Sequence, residues 1–286
     1  MSSSPAPGER LPSGHLLGAR YRIERVIGSG GMGTVYAASA VDTQRAVALK
    51  VIGDEHTHDP NVIARFQREG RLMAEIRHAN IVDVLELGQL DGHWFIAMEL
   101  LAGSNLEDAI AAHGPYAPRD AAPIIEAVLD ALDAAHGHQV VHRDLKPANV
   151  FLADGARVKV LDFGVAKVVG QSAQEQLTRS GTVLGTPEYM APEQAMGTSV
   201  DARSDLYAVG CILYAMLCGR PPFVDGWPMR VVMKQAFEAP APPSRLRPGL
   251  PDAVDRFIAR ALEKKPDDRF QSAGEMREAL AALRSQ

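Results

Sequence analysis

The sequence predicts an α+β fold in two parts, a strand-rich opening third and a longer helical remainder. Three observations carry this. Two pairs of strands separated by turn residues fall before residue 101, a single amphipathic helix interrupts them, and beyond that point apolar residues recur at helical spacing. With 286 residues, 46% of them hydrophobic, the chain can bury a large core and is long enough for two lobes.

Each element can be justified in order. Residues 1–19 are rich in Ser, Pro and Gly with no apolar targeting core, so a disordered leader is expected. Residues 34–38 and 46–51 read as strands on either side of a turn at Asp42-Thr43-Gln44. Asp59 is placed as an N-cap with Pro60 at the first helical position, opening a helix over residues 60–76. Arg65, Glu69 and Met73, at i, i+4 and i+8, share one face of it. Residues 81–89 and 93–99 are two further strands broken by Asp91-Gly92. Then the pattern changes. Ser104-Asn105-Leu106-Glu107 has the form of a capping box, and Ile124, Val128, Leu132 and Ala135 form a helical stripe. The twelve-residue apolar run 206–217 falls short of the roughly 18 residues that cross a bilayer, so it reads as a buried central helix ended by Gly219 and Pro221-Pro222. Ser272-Ala273-Gly274-Glu275 is a second capping box, starting a last helix to about residue 283.

Composition narrows the function. A net charge of −5 without a basic cluster argues against nucleic acid as a partner, and no internal repeat is present. Two cysteines, Cys211 and Cys218, too far apart along one helix to bond, suggest a reducing, cytoplasmic setting. His56, His58, His136 and His138 make a poor metal site, since two residues apart is bad ligand geometry on a helix.

The chemistry concentrates in His142-Arg143-Asp144-Leu145-Lys146-Pro147-Ala148-Asn149 and the following Asp162-Phe163-Gly164. Asp144 can orient and deprotonate an attacking hydroxyl, Lys146 can neutralise charge on a moving phosphoryl group, and Asn149 with Asp162 can ligate Mg²⁺. Near the start, Gly28-Ser29-Gly30-Gly31-Met32-Gly33-Thr34-Val35 gives G-x-G-x-x-G-x-V, in which glycines let backbone amides approach phosphate oxygens. A dinucleotide-binding turn would lead into a helix, whereas here strands flank the glycines. Val47-Ala48-Leu49-Lys50 places a lysine on the next strand.

These motifs, in this order over about residues 20–283, resemble the eukaryotic-type serine/threonine protein kinases, most closely their bacterial members. The resemblance implies the bilobal protein kinase fold, with an N-terminal lobe at 20–100 and a C-terminal lobe at 101–283 that includes an activation segment at 162–193. It implies ATP as phosphoryl donor and Mg²⁺, or Mn²⁺ in its place, held by Asn149 and Asp162. The nucleotide would meet Ile27, Gly28, Ser29, Gly30, Gly31, Met32, Gly33, Thr34 and Val35. Ala48 and Phe151 would flank the adenine, and the backbone of Glu99 and Leu101 would hydrogen-bond its edge. Lys50 would meet the α- and β-phosphates and pair with Glu69; Glu75 is the competing carboxylate. His142 is assigned a structural place against Phe163, with Met73 and Val84. Lys146, two residues after Asp144, and Thr186, bonding both, imply Ser/Thr acceptors in protein substrates. Arg143, with Lys167 and Arg65, would gather a phosphate on Thr178 or Ser180, added by a transiently associated second copy. Glu193 of Ala191-Pro192-Glu193 would pair with Arg269, and Asp205 would bind the backbone of the catalytic loop. No nucleic acid and no membrane segment are expected.

Two other classes stay in view. A catalytically dead scaffold would carry damage at Lys50, Asp144, Asn149 or Asp162, and all four are intact. A small-molecule kinase would lack the Ala-Pro-Glu end of the segment, which is present.

Overall fold

The structure, a computed structural model, describes residues 10–30, 33–53, 59–155, 157–163 and 186–284. It divides into two compact units: the described residues of Met1–His78 with Val82–Ala102, and Ala79–Ile81 with those of Gly103–Gln286.

The first unit is built on one antiparallel sheet. Its strands are β1 (Leu16–Leu17), β2 (Tyr21–Gly30), β3 (Gly33–Ala40), β4 (Ala46–Ile52), β5 (Val84–Leu90) and β6 (His93–Glu99), in spatial order β1-β2-β3-β4-β6-β5. Strand alternation sorts their side chains to two faces. Leu17, Tyr21, Ile23, Tyr36, Ala38, Val47, Leu49, Val51, Phe95 and Ala97 form one buried cluster. The residues between them, Val35, Ala37, Ala48, Lys50, Ile96 and Met98, register against one another on the opposite face. Helix α1 (Pro60–Glu75) packs on that second face, because a Cβ on its Gly70 would lie 3.1 Å from Leu87 Cδ1 and 3.2 Å from Ile96 Cδ1. Its start matches the expected signal: the Asp59 carboxylate accepts from the Asn61 N–H at 2.8 Å.

Two expectations change here. The leader expected over 1–19 extends too far, for Leu11 is buried and its N–H donates to the Tyr36 hydroxyl, while β1 pairs with β2. Small polar residues hid a short apolar strand. The strand expected from residue 81 begins at Val84, since Ile81 instead forms a parallel bridge to Val160 in the second unit and its carbonyl accepts from the buried Lys159 ammonium.

The second unit has a small sheet, β7 (Gly103–Asn105), β8 (Val150–Ala153) and β9 (Arg157–Val160), and eight helices among its described residues. These are α2 (Leu106–His113), α3 (Pro118–Gly137), α4 (Pro192–Met196), α5 (Ala202–Cys218), α6 (Pro228–Phe237), α7 (Pro243–Leu246), then α8 (Asp252–Ala261) and α9 (Ala273–Arg284), with α4 and α7 only one turn long. Helix α5 is apolar all round and buried from Ser204 to Leu217, as a central helix must be. It starts earlier than its apolar run, at an Asp201 cap, and ends at Gly219 with φ 73°. No helix among the described residues is long and apolar enough to cross a membrane.

The box expected at Ser104 shifts by one. Ser104 pairs with Leu152 in the small sheet, and Asn105 caps α2 instead by accepting from the Asp108 N–H at 2.8 Å. On α3 the buried stripe runs through Ile125 rather than Ile124, which is half-buried; Val128, Leu132 and Ala135 are buried as expected. At the last helix the Ser272 hydroxyl accepts from the Glu275 N–H at 3.1 Å, while the Glu275 carboxylate reaches the Gln271 N–H.

Candidate active site

In the first unit, β2 and β3 form the expected glycine hairpin, with Ser29 opposite Thr34 and Gly30 opposite Gly33. Gly33 admits no side chain, since a Cβ there would collide with the Val51 carbonyl oxygen. Ile27, Ser29 and Gly30 are exposed, and Gly28, Thr34 and Val35 half-buried. Lys50 is half-buried, opposite Val35, on the sheet face that α1 covers. Ala48 lies opposite Met98 on the same face. Glu99 uses its N–H and its carboxylate on the backbone of Asp83, at 3.0 Å each, which pins the end of β6; Leu101 is half-buried just beyond it. Gly31 and Met32, and the side chains of Arg65 and Glu69, lie outside the described residues.

In the second unit the loop before β8 is held from beneath. The Asp205 carboxylate, 1% exposed, accepts from the N–H groups of His142 and Arg143 at 2.8 and 2.9 Å and meets His136 Nε2 at 2.8 Å. His136 is thereby a partner of this buried carboxylate. The clamp stabilises a backbone that would otherwise relax, because Arg143 has φ 62°, costly for a side chain with a Cβ.

His142 is wholly buried with its ring centroid 4.7 Å from that of Phe163. Its Nδ1 accepts from the Asp144 N–H at 3.3 Å and its Nε2–H donates to the Leu161 carbonyl at 2.9 Å. Both ring nitrogens are satisfied in the neutral form, and burial lowers the pKa below the ordinary 6.5. This residue struts the loop.

Asp144 and Lys146 face outward from that support. Lys146 Nζ lies 3.3 Å from Asp144 Oδ2 and donates to Thr186 Oγ1 at 3.5 Å. Their side chains are 26% and 23% exposed, open enough to meet a ligand. Asn149, in a 3-10 turn from Pro147 to Asn149, donates its side-chain N–H to the Asp144 carbonyl at 2.8 Å. That fixes the amide with its Oδ1 turned away from the bond, an oxygen of the type that Mg²⁺ accepts. The Asn149 carbonyl accepts from the Leu161 N–H at 2.8 Å and so ties this turn to the strand end that carries Asp162. Asp162 has φ 46°, and Phe151 is half-buried on β8 opposite Asn105 and Lys159. The oxygen donors of Asn149 and Asp162 thus suit a divalent metal.

The far end of the expected activation segment is locked by a buried ion pair. Arg269 donates to both Glu193 oxygens, at 2.8 and 2.7 Å, with 0% and 5% of the two side chains exposed. Burial alone would raise the Glu193 pKa, but the Arg269 and Ser204 hydrogen bonds outweigh it and hold the carboxyl below the ordinary 4.5. Sequence reasoning missed Gln194, whose Oε1 accepts from the Ala191 N–H at 3.0 Å and whose Nε2 donates to the Arg143 carbonyl at 2.8 Å. Its position three residues after Ala191 was the available signal, as a glutamine there can reach back over a helix start. Gly164, Lys167, Thr178 and Ser180 lie outside the described residues.

Residues 21–281 match the protein kinase domain. The chain is 39% identical over 265 residues to the serine/threonine-protein kinase PknB of Mycolicibacterium smegmatis, covering 91% of this chain and 42% of that protein. It is 42% identical over 278 residues to the serine/threonine-protein kinase pkn3 of Myxococcus xanthus, covering 94% and 51%. The chain therefore spans about half the length of the curated relatives it matches. Among solved structures, the PknI kinase domain of Mycobacterium tuberculosis aligns with a TM-score of 0.74 at 30% identity, covering 96% of this chain and 100% of that one. The strand-rich first unit, the helical second unit and the order of the motifs agree with these matches. The fold is the protein kinase fold, and the chain belongs to the protein kinase domain family.

Proposed function

We propose that the chain is a serine/threonine protein kinase that transfers the γ-phosphoryl group of ATP to Ser or Thr hydroxyls of protein substrates. The observation that carries this reading is the Asp144, Lys146 and Thr186 cluster, set on a clamped loop beside the Asn149 amide. Asp144 accepts the proton of the attacking hydroxyl, a role that contributes about 10² to 10⁴ in rate. Lys146 offsets negative charge as the phosphoryl group moves. Lys50, aided by Glu69, aligns the donor phosphates, and the glycine hairpin offers them backbone N–H groups. Ala48 and Phe151 supply apolar contact to adenine, with Glu99 and Leu101 at its polar edge. Mg²⁺, or Mn²⁺ in its place, held by Asn149 and Asp162, would neutralise phosphate charge.

In the same reading, phosphorylation of Thr178 or Ser180 by a transiently associated second copy brings an anion to Arg143, Lys167 and Arg65 and orders the segment. A reducing cytoplasm suits the two free thiols, of which Cys211 is buried with its pKa pushed up to about 12. The test is incubation with γ-labelled ATP, Mg²⁺ and a generic basic protein, followed by hydrolysis to phosphoamino acids. Label in phosphoserine and phosphothreonine is expected. Label in phosphotyrosine alone, or none, contradicts the reading.

A further inference from the structure

Gln235, on α6, is completely buried, and nothing in the transfer chemistry uses it. Its Nε2 donates to the Glu188 carbonyl at 2.6 Å and to the Pro187 carbonyl at 3.2 Å. Its Oε1 accepts from the Tyr207 hydroxyl of α5 at 2.6 Å. Lys264 completes the set, donating to the Tyr207 hydroxyl at 3.1 Å and to the Gln235 carbonyl at 2.9 Å. Its ammonium lies 4.7 Å from the Phe223 ring centroid and 5.5 Å from that of Tyr207, and burial lowers its pKa to about 8.

Every hydrogen-bonding group of the Gln235 amide is thus committed, both donors to one short stretch of backbone. That stretch is the 3-10 turn Pro187–Tyr189. It follows directly on Thr186, whose hydroxyl meets Lys146. Tyr189 and Met190 line a small cavity of about 20 Å³ together with Asp144 and Lys146. An apolar side chain could fill the Gln235 site without the cost of desolvating an amide. The polar choice is explained if the turn must be held in one place.

We propose that Gln235, oriented by Tyr207 and Lys264, is a positioning residue for the protein acceptor, fixing the Pro187–Tyr189 turn so that a chain lying beside it presents its hydroxyl to Asp144. The proposal rests on the kinase reading above and deepens it on the acceptor side. In Gln235→Leu, the Pro187 and Glu188 carbonyls lose their side-chain donor and the Tyr207 hydroxyl its acceptor, and the turn shifts. The nucleotide-side residues are untouched.

The experiment measures KM for ATP and for a Ser/Thr acceptor peptide, with kcat, in wild type, Gln235→Leu and Tyr207→Phe, alongside amide hydrogen exchange. Gln235→Leu should raise the acceptor KM about tenfold, the effect of two ordinary hydrogen bonds, and leave the ATP KM within about twofold. Exchange at the Tyr189 and Met190 amides should accelerate while that of α5 stays slow. Tyr207→Phe, which removes only the orienting hydroxyl, should raise the acceptor KM about threefold and decides the matter if Gln235→Leu does not fold. An unchanged acceptor KM in a folded variant overturns the proposal, as does an equal rise in both KM values, which marks a packing role only. Failure of the kinase reading is distinguishable, because the wild-type protein would then transfer no phosphate at all.

Discussion

Arg269→Ala removes five hydrogen bonds from a guanidinium that has no exposed surface. Two go to Glu193, and one each to the carbonyls of Glu263, Arg203 and Lys264. The carbonyls can be reached by water once the cavity opens, so the larger loss is the carboxylate of Glu193, left buried without its cation. Breaking one side of a buried pair costs about 3 to 5 kcal/mol, against less than about 1 kcal/mol for an exposed pair. At about 2 to 4 °C per kcal/mol for large domains, the second unit should melt about 6 to 20 °C earlier. Arg269→Lys should recover only part of this, since an ammonium cannot match the two-pronged contact. Melts followed by circular dichroism across pH add a second reading. The folded-state pKa of Glu193 lies below its ordinary 4.5. Its pairing therefore stabilises fully above that value, and the stabilisation fades as pH falls through the lower folded value. Arg269→Ala should flatten that acid limb. A loss under about 1 kcal/mol with an unchanged acid limb would refute the reasoning.

Asp205→Ala withdraws the acceptor for the His142 and Arg143 amides, each lost partner costing about 1 to 3 kcal/mol, and should lower kcat at least about tenfold with less change in the ATP KM; steady-state kinetics check this. His142 has a folded pKa below its ordinary 6.5, so the unfolded chain takes up protons first and stability should fall as pH drops below 6.5. In His142→Phe that contribution to the slope should vanish in urea titrations at several pH values. Gly210→Ala puts a Cβ 2.8 Å from that of Ala261, a stiff neighbour, so overpacking of about 1 to 3 kcal/mol should exceed the helix gain of about 1 kcal/mol and lower Tm. Gly274→Ala, whose nearest neighbour would be Ser272 Oγ at 3.8 Å, should instead leave Tm unchanged or raise it.

The catalytic loop was legible because its chemistry is local. Asp144, Lys146 and Asn149 fall within six residues, and the 3-10 turn that Pro147 starts needs no distant partner to form. The Glu193 to Arg269 pair and the Asp205 clamp span long separations, and only the family resemblance pointed to them. Local signals failed where tertiary pairing decided. Ser104-x-x-Glu107 and Asn105-x-x-Asp108 are overlapping capping patterns, and pairing of β7 with β8 selected the second. Ile81 reads as a strand residue by its side chain, yet it belongs to the second unit, where its carbonyl accepts from the buried Lys159 ammonium. Gln194 had a local signal only for its bond to Ala191, and Gln235 none, so the long-range bonds of these uncharged side chains to Arg143, Pro187 and Glu188 had no signature in the chain.

The most direct test of the central claim is phosphoryl transfer by Asp144→Asn, measured with γ-labelled ATP and a Ser/Thr acceptor beside a nucleotide-binding titration. Loss of transfer by at least about 10²-fold, with ATP affinity and melting temperature close to wild type, is the predicted result. Transfer at the wild-type rate would contradict the assignment of Asp144 as the base.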